Sequence, residues 1–166
     1  YHYCSNNPIN RTDPSGMLDG DYYDGHGNYL GSDGINDNKA YFANSVTKDK
    51  NGIVTSASGK VELNVTNSVL NQFANTVAKE SSGNWKESFA IASTINNIAN
   101  LKNKTIEKTL QTEGIFGYRD GGNSSEYNNN SKYGMQAALN TLLGGKDYSN
   151  GATKWDGIDF LAWGLN

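Results

Sequence analysis

Apolar residues fall along this chain in two patterns. Before about residue 60 they come in short runs: Tyr22-Tyr23, Asn28-Tyr29-Leu30, Lys39-Ala40-Tyr41-Phe42-Ala43 and Ile53-Val54-Thr55, punctuated by Asp, Gly and Asn. Runs of this kind between turn residues predict one or two small β-hairpins, with Asp24-Gly25 and Asp33-Gly34 as the turn signals. From Val65 onward apolar positions recur at helical spacing. Leu70, Phe73 and Val77 form one stripe; Phe89, Ala92, Ile95 and Ala99, with Ile91 and Ile98 beside them, form another. Helices are therefore predicted over 66–81 (capped by Thr66 or Asn67), 85–100, 105–112 and 133–143, the last with Met135, Leu139 and Leu142 as its stripe. Residues 118–132 and 150–157 read as loops, and 158–163 as a short aromatic packing element. The fold class expected is α+β, mainly α: a helical domain with a small N-terminal β-hairpin region.

The corner Val77-Ala78-Lys79-Glu80-Ser81-Ser82-Gly83-Asn84-Trp85 joins the first two predicted helices. Gly83 is the expected stop, because only glycine takes a left-handed C′ position without a Cβ clash. Glu80 would sit in the last turn, facing the negative end of the helix dipole, which is unfavourable by a few tenths to about 1 kcal/mol. A residue misplaced for stability is a candidate for function.

Charge and composition narrow the classes. A net charge of −3 and a pI near 5.3 argue against a nucleic-acid partner, which calls for a basic face. The single cysteine, Cys4, permits no internal disulfide and no cysteine zinc site. His26 lies in a glycine-rich turn and has no partner at metal-ligand spacing, so it reads as a solvated loop residue. The Asp/Asn-rich stretches 33–37 and 49–52 invite a calcium reading but miss the EF-hand spacing; they read as turns. No metal and no cofactor is expected. No run approaches the ~20 apolar residues of a membrane span, and no signal-peptide pattern is visible. The chain does not open on methionine, so a piece of a longer protein is expected. Abundant Tyr, Trp and Asn suit a surface that meets sugars.

The start of the chain reads Tyr3-Cys4-x-Asn6-Asn7-Pro8 and then Asp13-Pro14-Ser15-Gly16-Met17. This resembles the end of the core in Rhs-repeat polymorphic toxins, where a shell of β-repeats closes on such a motif and self-cleavage releases a C-terminal toxin. The resemblance implies an autocleavage motif at Asp13, Pro14, Gly16 and Met17, with Asp13 in an aspartyl protease site, and a toxin starting near Leu18. It also implies the Rhs core shell as a partner. Residues 23–39 resemble a leader found ahead of toxin domains. The division expected is 1–17 as the core end, 18–60 as a β-hairpin leader and 61–166 as the helical domain.

Four further pieces stand in order: Glu80; Ala90 to Asn97; Gly114-Ile115-Phe116; and Gly151-Ala152-Thr153-Lys154-Trp155. Together they resemble SleB-like cell-wall hydrolases. The family's second glutamate is replaced in the Ser82-Gly83-Asn84 region, the arginine of its Asn-Arg pair is Asn97, and the aromatic after Gly-Ala is Trp155. The resemblance implies a lysozyme-like fold that cleaves the MurNAc–GlcNAc bond of peptidoglycan, with Glu80 as general acid/base.

The chemistry is consistent with one carboxyl group. Glycosidic cleavage needs a proton on the leaving oxygen, from an acid that burial and a helix C-terminus are expected to keep protonated near neutrality. An ordinary glycosidase needs a second carboxylate, about 5–5.5 Å away for retention or about 6.5–9.5 Å for inversion. Glu113, Asp120 and Asp156 are candidates. A lytic transglycosylase needs none, because the muramic acid 6-hydroxyl attacks its own anomeric carbon. Asn97, Tyr118, Tyr133, Thr153 and Trp155 are the expected substrate-binding residues, stacking on sugar rings and holding N-acetyl groups. The expected setting is secretion into a rival's periplasm or cell wall, with a cognate immunity protein protecting the producer. Competing readings are a toxin of another class (a nuclease or an NAD-consuming enzyme) and a non-catalytic glycan-binding module.

Overall fold

A computed structural model describes residues 20–126 and 132–155. It is a mixed α and β structure that divides into two units, 20–24 with 29–67, and 25–28 with 68–155. Asp13, Pro14, Gly16 and Met17 lie outside the described residues, as do Asp156 and the element expected over 158–163.

The first unit contains β1 (Asp21–Tyr23), β2 (Tyr29–Ser32), β3 (Lys39–Phe42), β4 (Ser45–Lys48), β5 (Val54–Ser58) and β6 (Val61–Thr66). One sheet has the order β2-β1-β3-β6, and β4 and β5 form a separate hairpin. β1 and β2 pair antiparallel, the hairpin expected around Asp24-Gly25. Asp33-Gly34 is not a hairpin turn: the chain passes beyond β1, and β3 pairs with β1 in parallel. The Asp33 carboxylate accepts from the Ile35 amide at 3.0 Å, and the Gly20 amide donates to the Ile35 carbonyl at 2.8 Å, so the segment is pinned beside the start of β1.

The acidic stretches close turns on themselves. Asp37 accepts from the Lys39 amide, and Asp49 from the amides of Asn51 and Ile53, leaving these oxygens to backbone partners. Residues 61–66, expected at the head of the helical domain, form β6 and pair with β3. The period of two at Val61, Leu63 and Val65 is a strand period, and Leu63 is buried. The two units meet along the chain at residue 67. Tyr22 and Tyr41 face each other across β1 and β3 and stack with centroids 4.8 Å apart, over Ala43 and Val54.

The second unit is helical: α1 (Asn67–Glu80), α2 (Trp85–Leu101), α3 (Ile106–Thr112) and α4 (Lys132–Leu142), with a wide turn at Tyr118–Gly122. Each helix lies within one residue of its predicted ends. Most of the predicted stripes face inward: Leu70, Phe73 and Val77 of α1, Ile91, Ala92, Ile95, Ile98 and Ala99 of α2, and Met135 and Leu139 of α4 are buried, joined by Ile106 and Leu110 of α3, whereas Phe89 and Leu142 are half-buried at the margins. Fully burying one such aliphatic side chain is worth roughly 1.5–3 kcal/mol. Gly134 packs α4 on α1 so closely that a Cβ there would collide with the Ala74 carbonyl oxygen.

Asn67 does not cap α1. Its side chain accepts from the Tyr23 hydroxyl at 2.9 Å and donates to Asp21 at 2.5 Å. At the corner, Asn84 caps α2 by accepting from the Lys86 amide at 2.9 Å, and Glu87 reaches back to the Ser82 amide at 2.8 Å, close to a capping box. Gly83, at φ +88°, makes the reversal between the two. Among the described residues no helix is long and apolar enough to cross a membrane.

Candidate active site

Asn71, Gln72, Asn75 and Thr76 of α1 follow one another at i, i+1, i+4 and i+5, which places them on one side of the helix. Asn and Thr are poor choices inside a helix because their side chains compete for backbone groups. Here they bond the backbone of a different segment. Asn71 Nδ2 donates to the Ser125 carbonyl at 2.9 Å, and Gln72 Nε2 to that of Asn123 at 3.1 Å. Asn75 Nδ2 serves the carbonyls of Ser124 and Glu126 at 3.0 and 3.1 Å, and Thr76 Oγ1 that of Gly122 at 3.5 Å. Glu80, the last residue of the helix, completes the row: its Oε1 accepts from the Gly117 amide at 2.5 Å.

Segment 117–126 therefore runs along α1 from its C-terminal end toward its start, its irregular backbone satisfied by side chains. Glycine is required where it touches. A Cβ on Gly117 would stand 2.9 Å from Glu80 Cγ and from the Thr76 carbonyl oxygen, and one on Gly122 would stand 2.7 Å from Thr76 Oγ1.

The other oxygen of Glu80 is held from a second loop. Trp155 Nε1 donates to Glu80 Oε2 at 3.1 Å. The loop that delivers Trp155 is organised around Asp147. Its Oδ1 accepts from the Ser149 amide and hydroxyl, each at 2.7 Å, and its Oδ2 from the Gly151 amide at 2.9 Å and Asn97 Nδ2 at 3.1 Å. Asn97 Nδ2 also lies 3.0 Å from Ser149 Oγ and 3.1 Å from the Ala152 carbonyl. Burial pushes the Asp147 carboxyl up, but hydrogen bonds from Ser149, Asn97 and Gly151 outweigh it and hold the group below the ordinary carboxylate range.

Of the residues singled out from sequence, Glu80 and Trp155 are in direct contact. Thr153 is half-buried two residues before Trp155, and Tyr118 is half-buried beside Gly117. Tyr133 stands 47% exposed in the first turn of α4. Asn97 meets the loop at residues 147–152. Glu113 is gripped by the ammonium groups of Lys102 and Lys104, whose hydrogen bonds, led by Lys102, hold it below the ordinary carboxylate range. Asp120 pairs with Lys79 at 3.5 Å.

Sequence reasoning missed Gly117, Asp147 and the α1 row. The signal for the row was present: amide and hydroxyl side chains on one side of a helix whose opposite face is fully apolar. Phe116, beside Gly117, is 66% exposed.

Chemically, the arrangement offers a half-buried carboxyl group touched by two uncharged donors and, among the described residues, by no cation. Each donor points a hydrogen at a different carboxyl oxygen of Glu80, so negative charge arising on either oxygen has a hydrogen-bond partner in place. Among the described residues no three His, Cys, Asp or Glu side chains gather to hold a metal ion. Compared with family models, curated proteins and solved structures, the chain matches none.

Proposed function

We propose that the helical unit is a lysozyme-like domain that cleaves peptidoglycan glycan strands between MurNAc and GlcNAc, with Glu80 as its single acid and base. The observation that carries this reading is the double hold on Glu80, an amide on one oxygen and an indole on the other, with exposed Phe116 adjoining. Protonated Glu80 gives its proton to the glycosidic oxygen as the bond to the anomeric carbon breaks. The Gly117 amide and the Trp155 indole then stabilise the carboxylate that forms, acting where charge develops. The carboxylate takes the proton back from the attacking hydroxyl, either the muramic acid 6-hydroxyl or water, and the acid is restored.

Of the candidate second carboxylates among the described residues, Glu113 and Asp120 are both engaged with lysines, which supports the single-carboxyl, transglycosylase route. Phe116, Tyr118 and Trp155 supply flat faces for sugar rings. The Rhs-like start supports a toxin released from a repeat shell, secreted toward the cell wall of another bacterium and neutralised in the producer by an immunity protein.

Mass spectrometry of sacculi treated with the protein tests this. Anhydromuropeptides are expected; reducing ends would assign hydrolysis, and an undigested sacculus would remove the reading. One observation favours a second reading. Glu80 belongs to the row that fastens segment 117–126, as a purely structural residue of a glycan-binding module would. In that case intact glycan strands are retained by the protein and no muropeptide is released.

A further inference from the structure

Asn97 stands out because its position in the fold does not match a substrate contact. It lies on the part of α2 that faces the 147–152 loop, and its Nδ2 is surrounded by three acceptors of that loop: Asp147 Oδ2, Ser149 Oγ and the Ala152 carbonyl. The loop has a second anchor on the same helix, the Tyr148 amide donating to Ser93 Oγ at 3.1 Å. Its reversal is made by Asn150 and Gly151, both at positive φ. Three residues beyond Ala152 comes Trp155, whose indole ends on Glu80. Nothing else described ties residues 153–155 down before that contact.

We infer that Asn97 is a positioning residue for the acid: by fixing the Ala152 carbonyl and the Asp147 carboxylate together, it sets the reach and angle of the Trp155 indole on Glu80. An asparagine suits this task because one amide nitrogen presents two hydrogens at once, to a charged oxygen and to a backbone carbonyl. An arginine in its place would put a bulky, always-charged fork into a space that already closes on one nitrogen. The inference rests on the proposed role of Glu80 for its effect on turnover, but not for its effect on Trp155.

The experiment is a double-mutant cycle on the full chain using Asn97→Asp, which keeps the shape but replaces the donor with an acceptor, and Trp155→Phe, which removes the indole donor. The first readout is the indole N–H resonance of Trp155, assigned by its loss in Trp155→Phe. Asn97→Asp is expected to shift it in the same direction as Glu80→Gln does, while the backbone amide spectrum of α1 to α4 stays in place.

The second readout is glycan turnover. Asn97→Asp is expected to lower kcat by about tenfold, the size of one misplaced hydrogen bond, with KM within about twofold. In the Trp155→Phe background it should cost nothing further. An unmoved Trp155 resonance in folded Asn97→Asp, or full additivity of the two losses, overturns the inference. Where Asn97→Asp does not fold, Asp147→Asn is read in its place, because it weakens the same loop from the other side. A protein without glycan turnover removes the proposed function, and the indole resonance still decides the role of Asn97.

Discussion

The two units treat their polar groups in opposite ways. In the sheet unit, polar side chains bond one another. Tyr29 and Asn67 both donate to Asp21, Tyr23 donates to Asn67, and Lys60 covers the Tyr22–Tyr41 stack, donating to the Tyr22 hydroxyl at 2.7 Å with its ammonium 3.8 Å from the Tyr41 ring centroid. Each of these bonds joins two residues of the same unit. In the helical unit, polar side chains on α1 and α2 hold the backbone of two irregular segments, 117–126 and 147–152, and one carboxylate sits where both segments end. Side chains that bond one another have fewer groups left to meet a ligand. Loops fastened to rigid helices by side chains place groups accurately and leave them exposed on one side, which is the usual location of chemistry.

The contrast predicts where substitutions matter, and the largest effect should be on activity. Glu80→Gln is expected to lower glycan cleavage by about 10²–10⁴-fold, read as muropeptide release, with circular dichroism showing that the helices persist. Retained cleavage would reduce Glu80 to the structural end of the α1 row and erase the difference between the units.

Next in size is Gly134→Ala. The added Cβ meets the Ala74 carbonyl of α1, which cannot move aside as a side-chain tip can. A loss of about 1–3 kcal/mol is expected by chemical denaturation, as in other overpacked cores. Asn75→Ala removes two side-chain donors and leaves the Ser124 and Glu126 carbonyls without them, at a cost of about 1–3 kcal/mol. Its signature is faster hydrogen exchange in 117–126 while β1 to β6 stay protected. Equal loosening of both units would break the comparison.

A pH effect follows from Asp147. Its folded-state pKa is depressed, so its contribution is fully present above the unfolded value, near 3.8, and is lost as pH falls through the lower folded value. Trp155 fluorescence should therefore report loosening of the 147–155 loop only in strongly acid solution, and Asp147→Asn should show that loosened state at neutral pH. The smallest expected effect belongs to the sheet unit. Lys60→Met removes a cation–π contact at an exposed lysine, worth about 0.5–1 kcal/mol, and should leave cleavage unchanged.

The sequence by itself determined the helices, their ends, the corner at Gly83 and the apolar stripes. These are local properties: period 3.6, cap residues and glycine conformational freedom act within a few residues. It also drew attention to Glu80, through a carboxylate on the wrong end of a helix dipole. Only the tertiary structure decided the parallel pairing of β1 with β3, because a short strand carries no mark of its neighbour. The same holds for β6, where the period-two run was short enough to pass for the approach to a helix. The setting of Glu80 was equally invisible, since its partners Gly117 and Trp155 lie 37 and 75 residues away in the chain. A hydrogen bond between such distant groups exists only after the helices have packed and carried both loops to the same point, and no periodicity along the chain encodes that meeting.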